Sequence, residues 1–136
     1  MDDFDQSLQA FQLAAQARRS AAGWLDAFEA ALASRDPARI GALFHADSHW
    51  RDILAFTWHL TPVAGRDSIA ARLAAEQGHT AAQGFHLPQG RKPPRQVKRL
   101  GIDSVEAIFE FTTAEGRGAG LIRLSTSPED GGAMKA

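Results

Sequence analysis

Apolar residues recur at intervals of three and four through the opening of the chain and give way to strict alternation near its end. Phe4, Leu8, Phe11 and Ala15 form a first series, and after Arg18 and Arg19 a second one runs Trp24, Phe28, Ala31 and Leu32. That period predicts helix over residues 4–34, as two helices or as one kinked near Gly23. The Gln- and Ala-rich residues 1–20 offer little apolar surface and predict a loosely packed N-terminal helix, whereas the face from Trp24 to Leu32 belongs in a core. Asp36 before Pro37 is a helix start, an oxygen acceptor at the N-cap followed by proline in the first turn. Ile40, Leu43 and Phe44 supply the apolar stripe of this short element.

Residues 47–67, DSHWRDILAFTWHLTPVAGRD, concentrate two of the three tryptophans and two of the five histidines. Trp50, Asp52, Leu54, Phe56, Trp58 and Leu60 alternate if the run is one strand, and a hairpin turning within residues 52–56 fits as well. Asp67 then caps a helix with Ile69 and Leu73 on its buried side, closed by Gly78. Gly84, Pro88, Gly90 and Pro93-Pro94 predict a long exposed loop over residues 79–94. Residues 95–100 read as a strand. Residues 105–113 read as another, with Val105, Ala107, Phe109 and Phe111 opposing Glu106, Ile108, Glu110 and Thr112; a turn at residues 115–118 returns the chain as residues 119–125. The order of elements predicts a single α+β domain over residues 1–136, helices packed on one face of a curved antiparallel sheet.

Composition narrows the chemistry. A chain of 136 residues, 44% hydrophobic, is long enough for one domain with a real core. Its formal charge of -1 supplies no field for nucleic acid or an anionic membrane. Cysteine is absent, which removes disulfides, thiolate metal sites and a cysteine nucleophile together. The acidic MDDFDQ start has no secretory pattern and no apolar run approaches the ~20 residues of a membrane span, so a cytoplasmic location is expected.

Trp50, Phe56 and Trp58, with Trp24, Phe109 and Phe111, are the candidate walls of an apolar pocket for a small molecule. Asp52 is the candidate acid or base, a carboxyl beside tryptophans, with His49 or His59 as its proton partner. The competing assignment for each is ordinary: aromatic residues in a β-rich run are core, and Asp52 pairs with Arg51 or caps a turn. His45 and His49 stand four apart, a metal spacing only on a continuous helix, which Asp47-Ser48 interrupts; no metal site is expected. Gly116, Gly118 and Gly120 match no phosphate or dinucleotide loop, because position 121 is Leu121 and no helix follows; a hairpin turn accounts for them, and no cofactor is expected. Arg91, Lys92, Arg95, Lys98 and Arg99 read as a solvated loop and strand edge, or as a docking surface for an acidic partner or a phosphate.

Two stretches, LFHADSHWRDILAFTWHLTPVAGRDSI at 43–69 and EFTTAEGRGAGLIRLSTSPEDGGAMKA at 110–136, together resemble the nuclear transport factor 2-like (SnoaL-like) domain. The resemblance is closest to the version at the N-terminus of flavin-containing monooxygenase-like proteins. It implies a cone-shaped α+β barrel around a pocket, commonly dimeric through the sheet, and association with a flavoprotein monooxygenase domain. The family sheet carries one more strand near where residues 135–136 lie, so an excised domain or a shortened stand-alone relative is expected. The fold hosts isomerases, cyclases, hydrolases and pure binding modules. An accessory binding domain is the leading expectation, with a cofactor-free isomerase, cyclase or hydrolase using Asp52 as the alternative. A homodimer is expected through residues 105–113 and 119–125, where Ile108, Ile122 and Leu124 are read as outward; the alternative is that residues 4–17 fold back over this surface.

Overall fold

The computed structural model describes residues 2–53, 60–99, 101–126 and 134–136. Helix α1, Asp2–Ser34, is one uninterrupted element rather than two. Gly23 sits on it with open space around its Cα, so it weakens the helix by about 1 kcal/mol relative to alanine without bending it. The second half of α1 carries Ala17, Ala21, Trp24, Leu25, Phe28, Ala31 and Leu32, all buried in the core. The first half is exposed, Phe4 at 73% and Phe11 at 72%, so it does not fold back over the sheet.

Helix α2, Pro37–Gly41, starts as its sequence dictates: Asp36 Oδ1 accepts from the Ala38 N–H at 3.0 Å, with proline in the first turn. Strands β1, His49–Ile53, and β2, Leu60–Ala64, form an antiparallel hairpin with Trp50 opposite Val63. Residues 54–59 between them, which include most of the turn expected within residues 52–56, lie outside the described residues. Helix α3, Arg66–Thr80, buries Ile69, Ala70 and Leu73. Gly65 holds its N-cap position and makes no side-chain cap, so Asp67 acts from the first turn through the helix dipole instead of as a cap. Nor does Gly78 end this helix, which closes on Ala81 in the left-handed conformation at φ 51. The buried Gln77 amide then ties off the turn, donating to the Ala82 carbonyl at 2.9 Å and accepting from its N–H at 3.1 Å.

The expected loop over residues 79–94 contains strand β3, Gln83–His86. Strands β4, Arg95–Arg99, β5, Ile102–Thr113, and β6, Gly116–Ser125, complete an antiparallel sheet built on β5. One edge of β5 pairs with β6 along nearly its whole length, while β4 and β3 share the other edge end to end. Helices on one side and sheets of antiparallel strands make the architecture α+β. Among the described residues no helix is long and apolar enough to cross a membrane.

Burial along β5 and β6 places Val105, Ala107, Phe111, Ile122 and Leu124 in the core with the helices. Ile122 and Leu124, read from sequence as outward, thus face inward; the apolar part of the outer face reduces to half-buried Ile108 and exposed Leu121. The rest of that face is ionic. Glu106 is nearly buried between Arg95 at 3.4 Å and Arg123 at 2.9 Å, and Glu110 meets Arg91 at 2.9 Å and His86 at 3.6 Å. Lys98 approaches Asp103 at 3.7 Å. Three cations of the basic stretch are therefore paired with acids of β5.

Candidate functional site

Gly118 and Gly120 are not turn residues. They lie in β6 directly opposite Phe111 and Phe109, and the two rings cover them so closely that an added Cβ would stand 2.5 Å from each ring's Cζ. Glycine removes the side chain that would otherwise lift the ring off the sheet. The rings then lie flat and extend an aromatic array: Phe109 and Phe111 are 5.9 Å apart, Phe85 stacks on Phe111 at 4.8 Å, and Phe28 meets Phe85 edge-on at 5.2 Å. Trp24 stacks on Phe28 at 4.8 Å and meets Phe44 edge-on at 5.7 Å. Edge-on and offset contacts of this kind satisfy the ring quadrupoles and stiffen the array.

One side of the array is the floor of a cavity of about 800 Å³, within the range that receives small molecules. Trp24, Phe28, Phe44, Phe85 and Phe109 line it, with Leu73 and Ile122. The remaining wall is mixed: His45, Asp47, Ser48, His49 and Trp50 from the segment entering β1, and Leu121, Arg123 and Ser125 from β6. Floor and rim therefore interleave along the chain, with Phe44 next to His45 and Ile122 between Leu121 and Arg123.

Four side-chain hydrogen-bonding contacts set that rim. The Trp24 indole N–H donates to the Leu43 carbonyl at 3.0 Å, which fixes the ring against the chain leaving α2. His45 Nε2 lies 3.1 Å from the Ser125 carbonyl and 3.0 Å from its Oγ. A carbonyl only accepts, so Nε2 carries the proton in that contact and is a donor, not a base toward the hydroxyl. Ser48 Oγ donates to the His45 carbonyl at 2.8 Å, closing the same turn. The chain end joins this clamp, with the His45 N–H donating to the Ala136 carbonyl at 2.7 Å and the Ala136 N–H to the Leu43 carbonyl at 3.0 Å.

The exposed edge of β6 adds main-chain groups. Ser125 exchanges two backbone bonds with Lys135, so its N–H and C=O point away from β5. Strand alternation directs the same groups of Arg123 and Leu121 outward, beside the cavity and with no strand partner among the described residues.

Of the residues singled out from sequence, Trp24, Trp50, Phe109 and His49 line this cavity. Phe111 does not; it is 3% exposed and packs behind Phe85 and Phe109 as support. Asp52 takes its place on β1 opposite Thr61, but its side chain lies outside the described residues, as do Phe56, Trp58 and His59. His45 and His49 share no helix, since α2 ends at Gly41 and His49 opens β1. Among the described residues no three His, Cys, Asp or Glu side chains gather as a metal group. Sequence reasoning missed Phe28, Phe44 and Phe85 as cavity walls and the His45–Ser125 clamp, whose members are 80 residues apart and carry no local signal. No family model and no curated protein matches this chain.

Proposed function

We propose that this protein is a binding module of the nuclear transport factor 2-like kind that holds a small, largely apolar ring compound on its aromatic floor. The observation that carries the reading is the cavity itself: five aromatic rings on one side, and on the other a histidine clamp, Ser48, His49 and the edge of β6. Such a site favours a flat apolar body with one or two polar atoms, the body stacked on rings and the polar atoms met at the rim. The cone-shaped barrel and a working association with a flavoprotein monooxygenase domain are part of the proposal and draw their support from the DSHWRD…AFTW resemblance.

Thermal shift with a panel of one- to three-ring compounds tests it. A ligand at a hundred times its Kd adds about 2.7 kcal/mol to stability, a rise of several degrees in a domain of this size. Shifts confined to ring compounds and lost in Phe109→Ser support the reading; a panel that moves nothing contradicts it. A second reading keeps His49, which lines the same cavity, as a proton-transferring partner of Asp52. It requires turnover of a bound compound that Asp52→Ala abolishes while binding persists.

A further inference from the structure

Helix α1 carries two apolar stripes that do not line up. At 3.6 residues per turn, the buried residues from Ala17 to Leu32 centre on one line of the helix, and Phe4, Leu8, Phe11 and Ala15 centre on another, roughly 130° away around the axis. The first stripe is the core contact. The second is not its continuation and stays uncovered among the described residues: Phe4, Leu8 and Phe11 are 73%, 45% and 72% exposed. Large rings repeated on one helical face, separate from the core face, need a partner of their own.

We infer that this partner is the same arm of a second copy, packed antiparallel with Phe11 at the two-fold axis. The charges around the stripe supply the argument. Asp5 and Arg19 lie on one flank of the stripe, Asp3 and Arg18 on the other, and all four are exposed. Among the described residues none of the four has an ion-pair partner. Antiparallel arms crossing at Phe11 bring each Asp5 to the other copy's Arg19 and each Asp3 to the other copy's Arg18, flank matching flank, while Leu8 falls over the small Ala15. A parallel pair would set acids against acids and arginines against arginines. An anionic lipid surface would meet the acidic N-terminal end and be repelled. The contact runs about 20 Å at 1.5 Å per residue and leaves the two bodies at opposite ends, on faces away from the seam. One helix pair of that length is a small interface, so the dimer forms at micromolar concentration rather than below it.

Sedimentation velocity of the full chain across micromolar concentrations reads the equilibrium directly. Concentration-dependent dimer is expected, with Phe11→Glu weakening association by about tenfold or more, as truncation of a central aromatic anchor does. The part the charges play is read by charge exchange. The R18E/R19E chain and the D3K/D5K chain each remain monomeric alone, and mixed together they form a one-to-one heterodimer. Cysteine placement reads the orientation, in a chain that has none of its own. Under mild oxidation F11C links two copies, whereas F4C, whose positions stand far apart in the antiparallel pair, does not. A chain that stays monomeric throughout, a dimer indifferent to Phe11→Glu, or F4C linking as readily as F11C overturns the proposal. Because every substitution lies on the exposed arm, an unchanged thermal transition distinguishes lost association from lost folding.

Discussion

The two faces of strand β5 hold the same stretch of backbone by different physics. Its inner face is steric: Phe109 and Phe111 lie on bare glycines of β6, and Phe111 is sandwiched against Phe85 at 4.8 Å. Its outer face is ionic: Glu106 draws in Arg95 and Arg123 from the neighbouring strands, and Glu110 draws in Arg91 and His86. Interiors packed at crystal-like density register every added or missing carbon, whereas ion pairs whose cations remain in water trade protein contacts for hydration at little net change. The inner face therefore fixes the shape of the cavity, and the outer face sets strand register and keeps the sheet soluble.

Substitutions that act on one face at a time sharpen that contrast. Phe111→Ala should cost the most, about 3–5 kcal/mol in denaturant unfolding, because it opens a void under two other rings. Gly118→Ala follows at about 1–3 kcal/mol. Its backbone is not in the left-handed region, so the whole penalty is the collision of the new Cβ with the Phe111 ring. Pairing it with Phe111→Leu should return part of that cost; strictly additive effects of the two changes would show that the ring has room to move and would break the steric account. On the outer face, Arg95→Ala with Arg123→Ala strips the nearly buried Glu106 carboxylate of two guanidinium partners and should cost about 1–3 kcal/mol. Either single substitution should cost under about 1 kcal/mol, since both arginines are more than half exposed and the other remains in place.

The alternation that separates these faces was readable in residues 105–113, where apolar and acidic residues take turns. The Asp36-Pro37 helix start and the aromatic weight of Trp24, Trp50 and Phe109 were readable too. Strand β3 was not, because four residues with a single apolar member, Phe85, and a glycine at φ 69 carry no period. Gly118 and Gly120 misled for a related reason: glycine near a turn and glycine under a ring look the same until the register of β5 against β6 is known. Helix α1 shows the limit of pattern in another way. Both of its apolar series are helical, yet only one is buried, since periodicity reports the conformation of a face and not what covers it.

The central claim is that the aromatic floor and its rim form a ligand site, and Trp24 and Trp50, both on its wall, provide a built-in reporter. Titration with an anilinonaphthalene sulfonate, followed by tryptophan-to-probe energy transfer in wild type and in a cavity-filling Ile122→Trp variant, tests that claim most directly. The account predicts saturable one-to-one binding to the wild type, displaced by any ring compound that raises its thermal transition, and weakened by about tenfold or more when the added indole fills the cavity. Absence of saturable transfer in the folded wild type, or transfer that the filled variant leaves unchanged, would contradict it.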